Sequence, residues 1–326
     1  MLRIALIGCG KIGSRHLQSL IKLKSETKIF LVDPNKTSLN VSLSLIENDL
    51  KKTQKIYIEI CSSINEIIEP IDFAIIASDS KPRFKILKIL LKKNKPKYLI
   101  LEKLLFTKDE EFSEALNLVK KAKINTWVNQ WMSAEPSFRD LCSHFKFSDV
   151  KDITVKGDNW GLCCNSVHYL ELFDFLSNRN ELKVKKYKFE KVFFSKRQGY
   201  LEISGKIEIE SENGSKLKLV SNDAGILEGE EILISIKTNN TKAECIFTMD
   251  SLIVKVEKNG EKINKKYNLI LQSDYTHRVI EEIIKSGSCN LPCLERAIYH
   301  HKLFYPLFRD LFSEKRVDLS EGLPIT

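Results

Sequence analysis

The sequence predicts an α/β protein in which a doubly wound parallel sheet is followed by an α+β domain built on a mostly antiparallel, open sheet. Three observations lead to this fold class. In the first 128 residues, short apolar runs alternate with helical patterns, as expected where helices cover both faces of a parallel sheet. After residue 128, runs of alternating polarity follow one another and are separated by turn signals. A length of 326 residues suits two domains, which we place at residues 1–128 and 129–326.

The first domain is predicted to contain six strands separated by helices. Strands are predicted where apolar residues follow one another, because a strand that is buried on both faces has no polar side. They are Leu2–Ile7, Lys28–Val32, Ile56–Ile60, Ile71–Ala77, Lys97–Leu101 and Asn125–Asn129. Helices are predicted where apolar residues recur every three or four positions. They are His16–Leu23, Lys36–Asp49, Ile64–Ile68, Phe84–Leu91 and Phe112–Lys121.

The second domain is predicted to mix helices with an extended sheet. A strand is expected over Lys151–Lys156, and several alternating strands are expected between Lys183 and Asn268. Turn signals such as Asn213-Gly214 separate these strands, which favours antiparallel pairing. The predicted helices are Ser137–Phe145, Asn165–Leu176, Tyr275–Lys285 and Leu294–Leu307.

Composition excludes several classes of function. The net charge is +9, but the lysines are spread along the chain and no recognised nucleic-acid module is present, so we expect no nucleic-acid partner. No apolar run approaches the roughly 18 residues of a membrane span. Leu2–Ile7 is followed by glycines rather than by a cleavage pattern, so we expect a cytoplasmic protein without membrane association. The eight cysteines lack the paired Cys-x-x-Cys spacing of zinc sites, which predicts free thiols and no metal.

A glycine-rich motif, Gly8-Cys9-Gly10-Lys11-Ile12-Gly13, follows the first predicted strand and opens a helix. In the Rossmann fold the first glycine permits a tight turn, the second lets a pyrophosphate approach the backbone, and the third lets helix and strand pack closely. The N-terminus of the helix offers N–H groups and positive dipole to the phosphates. We therefore predict that Gly8, Gly10, Lys11, Ile12 and Gly13 bind a dinucleotide.

An acidic residue follows the second predicted strand. Asp33 lies twenty positions after Gly13, where a carboxylate can accept hydrogen bonds from the ribose hydroxyls and repel a 2′-phosphate. The alternative is a turn residue before Pro34. Lys36 is nearby, but no arginine immediately follows Asp33. NAD is therefore favoured as cofactor over NADP.

Polar residues also follow the fourth and fifth predicted strands. Ser78 follows the fourth strand, and Glu102 and Lys103 follow the fifth. Open α/β sheets bind their ligands at the carboxyl ends of the strands, so these three residues are predicted to bind the cofactor. For Lys103 the alternative is an ordinary solvated lysine.

A histidine and a glutamate share one face of the predicted helix Asn165–Leu176. His168 and Glu171 are three positions apart, and a carboxylate near an imidazole can orient it and raise its basicity. The pair would suit proton transfer near neutral pH. The alternative is a buried histidine whose hydrogen bonds are satisfied, beside a surface acid.

Together these motifs resemble the Gfo/Idh/MocA family, which includes glucose–fructose oxidoreductase and inositol dehydrogenase. The resemblance extends over nearly the whole chain. It is carried by Ile7–Gly13 with His16, by Leu101–Leu104 at the family's Glu-Lys-Pro position, by Gly157–Glu171 and by Asn290–Ala297. It implies that Lys103 binds the substrate hydroxyl close to the nicotinamide, and that His168 accepts or donates the proton.

The chain departs from the family pattern near the predicted substrate. Leu104 replaces the usual proline, and Cys164, followed by Asn165, replaces an aspartate. Arg83 stands where many members carry a histidine. Arginines are common in the family where this chain has Met132 and Ser133. These changes bear on the substrate and on the proton relay, and they leave the cofactor-binding motif intact.

The resulting functional hypothesis is an NAD(P)-dependent oxidoreductase that acts on a hydroxyl or keto carbon of a sugar, sugar nucleotide or polyol. Lys103 and His168 are the predicted catalytic residues, and Trp160, Asn165 and Glu171 are predicted to contact or orient the substrate. Trp160 could equally be a core aromatic residue. The alternatives are a non-catalytic, dinucleotide-binding regulator and a cofactor-recycling glycosidic cleavage. The resemblance also implies a homo-oligomer, a dimer or a tetramer.

Overall fold

The computed structural model describes residues 1–225 and 231–326, and residues 226–230 of the predicted strand-rich region lie outside it. The chain packs as two units. The first consists of residues 1–129 and 270–298, and the second of residues 130–269 and 299–326. The first boundary lies one residue beyond the predicted one, but residues 270–298 had been assigned to the second domain and instead pack with the first.

Hydrogen bonds to the first helix explain where residues 270–298 belong. His16 is hydrogen-bonded to Thr276, with 2.8 Å between Nδ1 and Oγ1. The hydroxyl of Ser19 accepts a bond from the backbone N–H of His277 at 2.9 Å. The local sequence pattern of residues 270–298 does not show which sheet their helix will cover. A division of the chain at one position therefore could not predict that these residues pack with the first unit.

The secondary structure comprises fourteen strands and nine α-helices within the described residues, numbered here in chain order. The strands are β1 Leu2–Ile7, β2 Thr27–Val32, β3 Ile56–Cys61, β4 Phe73–Ile76, β5 Tyr98–Leu101, β6 Asn125–Val128, β7 Asp152–Asp158, β8 Leu182–Phe194, β9 Leu201–Ser211, β10 Lys216–Asn222, β11 Ile232–Lys237, β12 Thr241–Phe247, β13 Ser251–Lys258 and β14 Glu261–Asn268. The helices are α1 Lys11–Leu20, α2 Lys36–Ser44, α3 Glu47–Leu50, α4 Ser80–Lys93, α5 Asp109–Ala122, α6 Pro136–Ser143, α7 Leu162–Leu176, α8 Gln272–Ser286 and α9 Leu294–Glu314. Short 3₁₀ helices span Ile64–Glu66 and Met132–Ala134.

The first unit contains a parallel six-stranded sheet in the order β3-β2-β1-β4-β5-β6. This confirms the predicted doubly wound sheet. All residues of β4 and β5 are buried, which accounts for their continuously apolar sequences. The order reverses at β1, so the ends of β1 and β4 flank the point where such sheets place a ligand.

Most of the predicted helices have shifted bounds in the structure, and two of the differences have a clear local cause. The helix expected over Lys36–Asp49 is divided into α2 and α3, because the chain tightens to an i,i+3 bond from the N–H of Ile46 to Leu43 and buries the Ile46 side chain. Helix α4 begins at Ser80 rather than at Phe84. Pro82 lies in its first turn, where its missing N–H leaves no intrahelical bond unmade.

The second unit contains an eight-stranded sheet in the order β14-β13-β12-β11-β7-β10-β9-β8. All neighbouring strands pair antiparallel except β7 and β10, which are parallel, so the prediction of a mostly antiparallel sheet is confirmed. Helix α7 packs on β9 and β10 and buries Leu170 and Phe173 there. The edge strands β8 and β14 are largely exposed and rich in lysine, a composition that discourages pairing with another chain.

Candidate functional site

The three glycines of the loop between β1 and α1 have three different surroundings. Gly8 has a φ of +98°, and a Cβ there would lie 2.6 Å from the backbone nitrogen of Ser78. A Cβ on Gly13 would collide with the carbonyl oxygen of Gly8. A Cβ on Gly10 would meet nothing within 4 Å. These are the geometries that a tight turn, a close helix–strand approach and an open space for a phosphate require.

Helix α1 begins at Lys11, after the N-cap residue Gly10, and within the described residues no side chain caps the N–H groups of its first turn. The N–H groups of Lys11, Ile12 and Gly13 lie too early in the helix for an intrahelical partner, whereas that of Ser14 donates to Gly10 at 2.9 Å. These donors border the open space at Gly10, and the helix dipole adds positive potential there. The arrangement can bind a pyrophosphate without any further rearrangement of side chains.

Asp33 is half-buried at the end of β2 and is hydrogen-bonded to the glycine loop. One carboxylate oxygen accepts from the N–H of Cys9 at 2.7 Å, and the other accepts from Asn35 at 2.8 Å. A carboxylate has about four acceptor positions, so bonds to ribose hydroxyls can be added. The sequence indicated the ribose contact, but the tie between Asp33 and the loop emerges only from the structure.

Glu102 is buried within a chain of polar side chains. His16 lies 2.9 Å from its carboxylate through Nε2, and Asn129 donates to the same oxygen. Asn129 also donates to Gln272 at 2.8 Å, and Gln272 donates to Thr276, the partner of His16, at 2.7 Å. The five residues belong to the first unit and join α1, β5, the end of β6 and α8.

The charge of Glu102 follows from these contacts. Burial would raise its pKa, but the bond and charge of His16, the bond from Asn129 and the charge of Arg83 hold the pKa below its usual value. The prediction assigned Glu102 to the cofactor. Its described hydrogen bonds are internal, so its observed contacts anchor the end of β5 and leave the next residue, Lys103, half-buried. The peptide bond from Lys103 to Leu104 is cis.

The polar chain around Glu102 was not predicted as a whole. The sequence marks His16 and Glu102 as members of motifs, and Asn129 is recognisable as a polar residue after a strand. No sequence pattern marks Gln272 and Thr276 as members of this network. Their contacts with Asn129 and His16 join positions more than 140 residues apart.

In the second unit, α7 begins at Gly161, which has a φ of +83°. The carboxylate of Glu202 on β9 accepts from the backbone N–H groups of Cys163 at 2.8 Å and Cys164 at 3.1 Å. A carboxylate at this position satisfies two unpaired donors and complements the helix dipole. His168 lies one turn after Cys164 and is 7% exposed, with its ring centre 5.9 Å from that of Trp131.

Glu171 is buried and bonded to Ser133 rather than to His168. Its two oxygens accept from the backbone N–H of Ser133 at 2.9 Å and from the Ser133 hydroxyl. Burial, together with the nearby charge of Asp174, raises the pKa of Glu171 to about 7 despite the bonds from Ser133. The predicted orienting role is therefore not what its contacts show: a buried carboxyl group needs donors, and Ser133 supplies them.

Trp160 is a core residue, the alternative that its sequence position left open. It is 2% exposed, its indole N–H donates to the carbonyl oxygen of Val220 at 2.8 Å, and its ring packs edge-to-face on Tyr169. Such a side chain offers no surface to a ligand. Asn165 is half-buried and donates to the carbonyl of Trp160 at 2.7 Å.

His300 on α9 is a further buried histidine, which the sequence pattern did not indicate. His300 lies 3.0 Å from Asp174 through Nε2 and 3.1 Å from the amide oxygen of Gln130 through Nδ1. Both ring nitrogens of His300 are thus in hydrogen-bond contact with side-chain oxygens. The pair ties α9 to α7, the helix that carries His168. Its residues are 126 positions apart, so local spacing gives no signal.

Within residues 1–225 and 231–326, no group of three or more His, Cys, Asp or Glu side chains is placed to hold a metal ion. Of the helices in the described part of the chain, none is both long and apolar enough to cross a membrane.

The chain is similar in structure to several solved proteins. A dehydrogenase (MviM) from Clostridium difficile matches with a TM-score of 0.72 at 16% identity, covering 95% of this chain and 99% of that one. The transcriptional regulator Gal80p from Kluyveromyces lactis matches with a TM-score of 0.73 at 15% identity, covering 96% and 93%. UDP-N-acetylglucosamine 3-dehydrogenase GnnA from Acidithiobacillus ferrooxidans matches with a TM-score of 0.70 at 12% identity, covering 92% and 94%. At such identities the likeness shows the fold.

A sequence similarity to a known family is found for the first part of the chain. No curated protein matches the chain at the sequence level. The model of the GFO_IDH_MocA oxidoreductase family, described as an NAD-binding Rossmann fold, matches residues 2–130, which include the glycine loop, Asp33, Glu102 and Lys103. Residues 2–130 are therefore similar in sequence to the Gfo/Idh/MocA family of oxidoreductases.

Proposed function

We propose that this protein is an NAD-dependent oxidoreductase that acts on a hydroxyl or keto carbon of a sugar, sugar nucleotide or polyol. One observation carries the proposal: the first unit combines an open phosphate cradle at Gly10 with a lysine held at the carboxyl end of β5. A dinucleotide on a Rossmann sheet lies along the carboxyl ends of its strands. A lysine at such an end suits contact with the reacting part of the substrate.

The residues of the first unit fit a dinucleotide. The space beside Gly10 and the N–H groups at the start of α1 suit the pyrophosphate. Asp33 suits an unmodified ribose, because its carboxylate can accept from both hydroxyls and would repel a 2′-phosphate. Ser78 adjoins Gly8 and is half-exposed next to this space.

Lys103 and His168 have different proposed roles at the substrate oxygen. When bound, the nicotinamide supplies or accepts the hydride. The ammonium of Lys103 stabilises negative charge that develops on the oxygen. The imidazole of His168 takes the hydroxyl proton during oxidation and returns it during reduction. Glu102, fixed by His16 and Asn129, holds the chain from which Lys103 projects.

A screen for turnover tests the proposal. Wild-type protein is mixed with NAD and hexoses, polyols or nucleotide sugars, and with NADH and the corresponding keto compounds, and absorbance of NADH is followed. We expect one class to support turnover, with loss of activity in Lys103→Met but not in Lys85→Met, an exposed lysine on α4. Turnover that survives in Lys103→Met would contradict the assignment.

A non-catalytic regulator is the second candidate function. The structural likeness to Gal80p favours it, as do Leu104 and Cys164 at positions where the family resemblance implies other residues. Such a protein would bind NAD but show no turnover with any class in the screen. Homo-oligomerisation and a carbohydrate ligand remain predictions under either function.

A further inference from the structure

Arg83 is buried in the first turn of α4 and donates to three backbone carbonyl groups. Its side chain is 1% exposed. One terminal nitrogen donates to the carbonyl oxygens of Leu104 and Leu105, the latter at 3.2 Å. The other terminal nitrogen donates to the carbonyl oxygen of Ser78.

This placement is costly for an arginine. A positive charge in the first turn of a helix opposes the helix dipole, and burial removes the guanidinium from water. The carbonyl groups offset these costs, because a planar guanidinium offers five donors in a fixed fork that can reach several acceptors together. A side chain that is kept in an unfavourable position and makes directed bonds suggests a specific role.

The three carbonyl groups belong to two segments at the same edge of the sheet. Ser78 follows β4, and Leu104 and Leu105 follow β5. Because β4 and β5 are parallel neighbours, both segments leave the carboxyl edge, where a Rossmann sheet binds its ligand. Arg83 therefore joins the two segments that border the nicotinamide end of the proposed site.

Lys103 lies between two anchors. On one side, Glu102 is held by His16 and Asn129. On the other, the carbonyl groups of Leu104 and Leu105 are held by Arg83. The positive charge of Arg83 also helps to keep the pKa of Glu102 low, so the two anchors are electrostatically coupled. With both in place, the backbone at Lys103 has little freedom to move.

We propose that Arg83 is a positioning residue that fixes the segment carrying Lys103, so that the lysine ammonium is held ready for the substrate oxygen. This inference rests on the proposed function, since it assigns Arg83 a role through Lys103. Arg83 itself touches neither substrate nor cofactor in this assignment; it acts through the backbone of its neighbours.

The experiment compares three variants of the full chain. Arg83→Met removes the guanidinium, and Arg83→Lys keeps the charge but loses the fork. Lys85→Met is the matched control, because it removes a positive charge from an exposed position on the same helix. Amide hydrogen exchange of residues 103–107, the Kd for NAD, and kcat and KM on a substrate that wild type uses are measured for each.

We expect exchange at residues 103–107 to accelerate at least about tenfold in Arg83→Met and less in Arg83→Lys, because anchored backbone opens less often. Turnover should fall about 10- to 100-fold in Arg83→Met, in kcat rather than KM, since a misplaced ammonium loses transition-state stabilisation. The Kd for NAD should change less than kcat. Arg83→Lys keeps the inference testable if Arg83→Met does not fold.

Three results would overturn the inference. The first is exchange at residues 103–107 that is no faster in either Arg83 variant than in Lys85→Met. The second is normal kcat in the Arg83 variants while Lys103→Met is inactive, which leaves the proposed function standing. The third is normal turnover in Lys103→Met, which removes the proposed function and this inference with it.

Discussion

Helices α1 and α7 both begin after a glycine, but the N–H groups of their first turns differ in their partners. Each helix carries a histidine in its sequence. Among the described residues, no side chain caps the start of α1, which borders open space at Gly10. The start of α7 is capped by the carboxylate of Glu202. A helix N-terminus attracts anions, so a chain can leave that attraction open for a ligand or satisfy it with its own carboxylate.

A buried glutamate lies beside α1 and another lies on α7, and their pKa values shift in opposite directions. Glu102, beside α1, receives bonds from His16 and Asn129 and keeps its charge. Among the described residues, Glu171 on α7 receives hydrogen bonds only from Ser133, and burial raises its pKa to about 7. Each carboxylate accepts two hydrogen bonds, so the opposite pKa shifts follow from the neighbouring charges: His16 and Arg83 beside Glu102, and Asp174 beside Glu171.

The largest expected effect concerns His168 on α7 and Lys103 after β5. His168→Ala on α7 should lower turnover by roughly 10²- to 10⁴-fold, the usual range for a positioned acid or base, and should leave NAD affinity nearly unchanged. Lys103→Ala should lower turnover by a similar factor. Under the proposed function the double variant should cost much less than the product of the two effects, because groups that act on one transition state are not additive. Steady-state kinetics checks this.

His144→Ala, outside α7, is the control for a general effect of losing an imidazole. Near-normal turnover in His168→Ala would end its assignment as acid/base. The search would then move to Glu171, Cys164 or a water held by Asn165.

The next prediction tests whether the N-terminus of α1 is open to a ligand while that of α7 is occupied by Glu202. Gly10→Ala places a methyl group in the space beside α1 and should raise the Kd for NAD at least about tenfold, because a phosphate can no longer approach the backbone. Gly10 has a φ of −69°, which alanine adopts without strain, so stability should be almost unchanged. Titration calorimetry and urea unfolding give the two quantities.

Glu202→Gln is the counterpart on α7. It should leave the Kd for NAD unchanged and lower the free energy of unfolding by about 1–2 kcal/mol, because the helix loses a charged cap. If Glu202→Gln weakened NAD binding as much as Gly10→Ala, the contrast between the two helix starts would be wrong.

Cofactor preference tests the carboxylate beside α1. NAD should bind at least about tenfold more tightly than NADP, since roughly 1.4 kcal/mol is a modest cost for placing a phosphate beside Asp33. Asp33→Asn should narrow this ratio while keeping an acceptor for the N–H of Cys9. Equal or tighter binding of NADP by wild type would show that Lys36 or another base controls the site.

A pH dependence of stability distinguishes the two buried glutamates. The pKa of Glu171 rises on folding, so the folded state holds its proton longer, and this group lowers stability as pH increases from about 4.5 to about 7. The slope is at most about 1.4 kcal/mol per pH unit. Glu171→Gln should therefore gain stability relative to wild type across that window, as measured by urea unfolding at several pH values.

Glu102 has the opposite sign. Its pKa falls on folding, so its contribution is present above about pH 4.5 and is lost as pH falls through the lower folded value. Glu102→Gln should be destabilised at neutral pH and should approach wild type in acid. A parallel response of the two variants would mean that the charges around each carboxylate do not set its pKa.

Local sequence patterns predicted those features of the fold that depend on residues close together in the chain. The apolar runs of β1, β4 and β5 gave the parallel sheet, and the spacing of Gly8, Gly10 and Gly13 indicated their three separate surroundings. The same reasoning placed Lys103 at the end of a strand.

Contacts between residues that are distant in sequence could not be predicted from these local patterns. The parallel pairing of β7 with β10, the burial of Arg83 against Leu104 and the bond from His300 to Asp174 join residues that are distant in sequence. Polarity alone suggested that Trp160 and Glu171 could face a ligand. The structure gives Trp160 a carbonyl partner and Glu171 a serine, which are bonds that no spacing rule specifies.

The return of residues 270–298 to the first unit has a consequence for synthesis on the ribosome. When residue 129 has emerged, His16 and Ser19 of the nascent chain still lack Thr276 and His277, their partners on α8. At about 5–20 residues per second, those partners follow after an interval on the order of 10 seconds. During that interval all six strands of the parallel sheet have been made, but α1 lacks its contacts with α8 while the strands of the second unit are being synthesised. The dinucleotide-binding unit, although encoded first, is finished after most of the domain that interrupts it.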